Sequence, residues 1–140
     1  MDDWIKYALL AAVFIAVRDF LMKNISSKYS YTDYVIYAVT ISFILIWGYV
    51  LTTGYKPNKI KNNDVLIILI RILIVYLIVD PSIFNALKKS SNVGEVSALL
   101  NTNIIIAFII SIILLKHKIN YKSILGIIFI TMGGCIISIG

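Results

Sequence analysis

Four ionisable side chains, Arg18, Asp19, Arg71 and Asp80, sit inside long runs of Ile, Leu and Val. At the centre of a membrane helix such a charge costs at least about 2.5–3.5 kcal/mol on insertion scales, so it faces protein or a wet cavity and marks an ion or substrate route. Asp80 is followed by Pro81 in the stretch YLIVDPSIFNAL, residues 76–87. Proline lacks an amide hydrogen, collides with the carbonyl four residues back, here that of Leu77, and biases the residue before it away from helical angles. A kink or short break at Pro81 is therefore expected, with the Leu77 carbonyl left free. Irregular backbone at membrane depth is tolerated where it lines a cavity. A carboxylate beside a freed carbonyl can hold a cation, a proton or an amine. Asn101, Asn103 and Thr40 add neutral hydrogen-bonding groups.

Structural roles compete with these chemical ones. Asp80 can pair with Arg18 as a buried ion pair that fixes helix register. Asp19 can pair with Lys23, one turn later on the same face. Arg71 lies near a span border and can snorkel to it. Glu95 belongs to a capping box, Asn92-Val-Gly-Glu95. Cys135 is the only cysteine and His117 the only histidine, which rules out an intrachain disulfide and any Cys/His metal cluster. There is no Ser/His/Asp set and no phosphate loop, so no enzyme, metal or cofactor is expected.

These residues are positioned by five apolar runs of helical length, 4–23, 34–53, 65–87, 93–115 and 121–139. About 20 apolar residues cross a bilayer as a helix. Outer-membrane strands need about 10 residues of alternating polarity, and these runs are longer and do not alternate. Of the 140 residues 60% are hydrophobic and 14% charged, too apolar for a soluble domain of this size to bury. The expected fold is all-α, an integral membrane bundle of five transmembrane helices in one domain, 1–140. The net charge of +6 falls in short connectors rather than along one face, which argues against nucleic acid. Seven lysines (6, 56, 59, 61, 116, 118, 122) fall on the N-terminal side and four (23, 28, 88, 89) on the other. The positive-inside rule then puts the N-terminus in the cytoplasm and the C-terminus outside, with a bias weak enough to permit both orientations.

Depth brings the polar residues to one level. Asp19 and Asp80 each lie 15 residues into their runs, about 22 Å from the cytoplasmic border at 1.5 Å per residue. Asn101 and Asn103, entering from the other side, are about 12–15 Å deep, and Thr40 falls nearby. Ala8, Ala12, Ala16 and Asp19 share one helix face, and small residues there let helices pack closely. Asp19 is expected to point into protein.

Residues 85–138, with Ala86-Leu87-Lys88, "LLKHKIN" and "ILGIIFITMGGCIIS", resemble the C-terminal part of an EamA domain of the drug/metabolite transporter superfamily. The five-span layout extends the resemblance over the whole chain. Asn101-Thr102-Asn103 stands where family members often have a proline, and Ile15 where the four-span small multidrug resistance relatives have a membrane glutamate. The resemblance implies a small-molecule transporter, for a metabolite, amino acid or organic cation, in the plasma membrane. A single repeat resembles half of the larger members, so it implies a homodimer or a related second half-transporter chain working by alternating access. Gly126 and Gly133, two turns apart, match the spacing of a dimer contact in those relatives, or serve packing within the chain. The alternative is a non-transporting accessory subunit, for example of a lipid-linked sugar flippase.

Overall fold

The computed structural model describes residues 3–116 and 120–139. His117 and Lys118, used above, lie outside the described residues. Among the described residues there is no strand, and five helical segments follow one another. Helix α1 is Asp3–Ser26. Helix α2 is Tyr31–Thr53, opened by Ser30 and closed by Gly54 at φ 65, the left-handed conformation glycine adopts without a Cβ penalty. The Ser30 hydroxyl donates to Asp33 Oδ2 at 2.6 Å and accepts from the Asp33 amide at 3.2 Å, which caps the first turn.

The third segment joins α3, Asn62–Ile74, to α4, Asp80–Lys89, through a π-helical turn, Val75–Val79. Of the kink or short break expected at Pro81, the break does not occur: the helix runs on, and the irregularity is a π turn ahead of the proline. Asp80 keeps helical angles, φ −63 and ψ −43, and its amide donates to the Val75 carbonyl five residues back. A π turn adds one residue to the helical repeat, which redirects the carbonyls ahead of the proline ring without ending the helix. The Ser82 hydroxyl donates to the Ile78 carbonyl at 2.6 Å, so that carbonyl has a side-chain partner.

The interruption falls in the fourth segment instead. Helix α5, Val93–Leu100, is capped by Asn92, whose side chain accepts from the Gly94 amide and donates to Glu95 Oε1 at 3.3 Å. Helix α6, Asn103–Leu115, follows after the turn at Asn101 and Thr102. Across that turn the amides of Thr102, Ile104 and Ile105 bond three residues back, at 3.1, 3.2 and 3.1 Å. Helix α7 is Tyr121–Ile139, preceded by Asn120, which accepts from the Lys122 amide at 3.0 Å.

Three segments are long and apolar enough to cross a membrane, Tyr31–Thr53, Asn62–Lys89 and Val93–Leu114. Helix α7 has a shorter apolar stretch, Tyr121–Ile137, and α1 carries Lys6, Arg18, Asp19 and Lys23 along its length. Leu51, Leu77 and Leu114 are 78%, 70% and 72% exposed, an outward apolar surface that only lipid or another apolar surface covers at low cost.

The chain divides into two compact units, residues 1–20 with 90–140, and residues 21–89. In the first, α5 meets α7 at buried Gly134, where a Cβ would stand 2.9 Å from the Ala98 carbonyl oxygen and 3.9 Å from Thr102 Cγ2. In the second, Phe84 and Leu87 are each 1% exposed and Met22 and Ser26 are buried with them. The Tyr31 and Tyr34 rings both lie 5.6 Å from Phe84, one edge-on and one stacked. The Tyr31 hydroxyl donates to the Tyr76 carbonyl in the π turn at 2.8 Å. Lys23 Nζ donates to the Leu87 carbonyl at 2.6 Å, satisfying one of the open carbonyls in the last turn of α4.

Candidate functional site

Asp19 is 2% exposed and is the only ionisable side chain buried among the described residues. Ala8, Ala12 and Ala16 on the same face of α1 are exposed, and Asp19, one turn on, meets α5 at Ser97. Both oxygens are engaged. Oδ1 accepts from Arg18 Nη2 at 2.8 Å and from Arg18 Nε at 3.1 Å. Oδ2 accepts from the Ser97 hydroxyl of α5 at 3.1 Å. The Arg18 side chain remains 53% exposed while that of Asp19 is 3% exposed. Neighbouring helical residues project about 100° apart, so only the long Arg18 stem lets its guanidinium fold back onto Asp19.

The pairings weighed from the sequence are thereby reassigned. Arg18 pairs with Asp19, and Lys23 reaches the end of α4. A carboxylate set between a half-exposed guanidinium and a hydroxyl can exchange that cation for a proton or an ammonium group. Charge-assisted bonds of this kind are the stronger ones, and an exposed guanidinium has water as an alternative partner.

Ser97 was not legible as a site residue. It lies one turn before Asn101, on the same face of the fourth segment, and that spacing of two polar residues in an apolar helix was the available signal. Asn101 and Asn103 are exposed at the turn, in the same unit as Asp19, and their side chains make no hydrogen bond with a described residue.

Thr40, Asp80 and Pro81 belong to the second unit. Thr40 is exposed and donates to the Ile36 carbonyl of its own helix at 2.7 Å. Asp80 is half-buried at the start of α4 and makes no ion pair or hydrogen bond through its carboxylate with a described residue. Arg71 is exposed on α3.

A Cβ on Gly126 or Gly133 would meet nothing within 4 Å. Close packing within the chain falls on Gly134 instead. Gly126 lines a groove of about 440 Å³ together with Phe108, Ser111 and Ile127.

Neither the curated proteins nor the solved structures yield a match to this chain. Residues 3–139 match the EamA-like transporter family. With helices long and apolar enough to span a bilayer and a match running over nearly its whole length, the chain is an integral membrane protein that belongs to the EamA-like transporter family.

Proposed function

We propose that this chain carries a small molecule across the membrane by alternating access, as a dimer of single repeats, and exchanges a cationic group or a proton at Asp19. The reading rests on one observation: a carboxylate inside an apolar helix, 2% exposed, shares its two oxygens between a guanidinium and a hydroxyl. As a stabilising device that arrangement is poor, because the carboxylate is desolvated while its guanidinium partner stays 53% exposed, and the cost of burying a charge offsets much of the attraction. In membrane helices buried ionisable groups instead follow transport routes.

In this mechanism Arg18 keeps Asp19 paired while no substrate is present. An ammonium group or a proton takes the place of the guanidinium, which turns to water. Ser97 holds the second oxygen and keeps the carboxylate oriented through the exchange. Asn101 and Asn103, at the exposed turn between α5 and α6, supply hydrogen bonds to the polar remainder of a metabolite, amino acid or organic cation. Two-repeat carriers relate their halves by inversion, and a second copy or a related chain supplies the missing half here.

The test is reconstitution of the purified chain in proteoliposomes, with transient currents recorded against a panel of amino acids and organic amines. Asp19→Asn is expected to insert normally and to lose at least about tenfold in transport. Ser97→Ala should lie between that variant and the parent. Parental currents from Asp19→Asn overturn the site. A silent parent chain that co-purifies with an unrelated membrane protein overturns transport in favour of an accessory subunit.

A further inference from the structure

A second cavity, of about 410 Å³, lies between the end of α1 and the start of α2, wholly within the 21–89 unit. Its size is that of a small-molecule site. Ile25 and Tyr29 form one wall; Asp33, Tyr34, Tyr37, Ala38 and Ile41 form the other. The α2 positions recur at helical spacing and share one face. Asp33 sits in the first turn of α2; Ile41, eight residues on, is about 12 Å further along the axis. The cavity is thus acidic and aromatic at one end and aliphatic at the other.

The carboxylate at the acidic end has capacity to spare. Asp33 Oδ2 accepts from the Ser30 hydroxyl at 2.6 Å, and Oδ1 accepts no hydrogen bond from a described residue. Among the described residues no lysine or arginine lines the cavity. Tyr29 and Tyr37 are 56% and 68% exposed, while the Tyr34 ring is held by stacking on Phe84. Tyrosines of an interfacial belt need only meet headgroups one at a time; these three line a single cavity with one carboxylate. Ring faces attract ammonium groups, most of all where water is excluded, and a carboxylate adds the charge.

We propose that this cavity binds the ammonium group of an amphipathic molecule, with its cation at Asp33 among Tyr29, Tyr34 and Tyr37 and its apolar body toward Ala38 and Ile41. Two sources share that chemistry, the headgroup of an aminophospholipid and a soluble aromatic or alkyl ammonium. The site is independent of Asp19, which belongs to the other unit.

The full chain in dodecyl maltoside is tested by equilibrium dialysis against radiolabelled benzyltrimethylammonium, with benzenesulfonate as the anionic counterpart. Saturable binding of the cation alone is expected. Asp33→Asn and Tyr37→Leu should each weaken it at least tenfold, while Asp33→Glu restores most of it. Ser30→Ala, which removes the cap and leaves the carboxylate, and Asp19→Asn should each stay within about threefold of the parent. Displacement by dihexanoyl phosphatidylethanolamine but not by the phosphatidylglycerol analogue assigns the site to a lipid headgroup; displacement by soluble amines alone assigns it to a free cation. Absence of binding, full binding by folded Asp33→Asn, or equal binding of benzenesulfonate overturns the proposal.

Discussion

Lys23 shows how little a residue's type alone says about its partner. Its spacing from Asp19 fits a pair along one helix face, yet its ammonium donates to the Leu87 carbonyl at 2.6 Å, at the end of a helix 64 residues further on. Helix C-termini present open carbonyls and a partial negative charge, and cations stabilise them. Lys23→Met should therefore cost about 1.5 kcal/mol, the low end for a hydrogen bond to a charged group, read as a shift in the unfolding midpoint in mixed micelles. Lys28→Met, on an exposed side chain, should shift it by under about 0.5 kcal/mol. For Asp19 the sequence led to the expectation of an inward side chain, and it is 2% exposed, but the alanines that share its face are exposed, so their spacing was not the cause. The sequence did not carry the partners. Ser97 is 78 residues away, and one serine in an apolar helix matches many positions equally well.

At the scale of elements, composition was enough to place all five helical segments, since long apolar runs end at Asn, Asp and Ser residues that cap helices. The interruptions were harder. Pro81 carries the stronger sequence signal, and it is absorbed by a π turn. Asn101 and Thr102 carry a weak one, and the fourth segment is interrupted there. Propensity describes single residues, whereas the outcome depends on which carbonyls find partners across several. The glycines follow the same pattern: spacing singled out Gly126 and Gly133, but the contact is made by Gly134, one position and about 100° away. Gly134→Ala should destabilise the protein by about 1–3 kcal/mol, as overpacking against backbone does, because the added carbon would stand 2.9 Å from the Ala98 oxygen. Gly133→Ala meets open space and should be neutral or stabilising by up to about 1 kcal/mol. Thermal unfolding of the two variants in the same detergent separates them.

For the whole molecule the bilayer assignment was the most legible feature, because 60% hydrophobic residues over 140 positions leave lipid as the solvent that fits. Orientation was least legible: seven lysines against four is a small bias under a rule that counts charges near span ends. Single cysteines placed at each terminus of a Cys135→Ser chain, labelled in intact cells with a membrane-impermeant maleimide, read it directly. The charge count favours modification at the C-terminus alone. Equal modification at both ends would instead mean that copies insert both ways, as an inverted homodimer requires. The backbone contact between Ala98 and Gly134 bears on how such a protein moves. Two helices that touch through backbone have little room to shear, so α5 and α7 are closely coupled at Gly134. In the transport cycle proposed above, a bend of α6 against α5 falls at the turn of Asn101 and Thr102, so stiffening at Thr102 would halt that cycle with Asp19, Ser97 and both asparagines still in place.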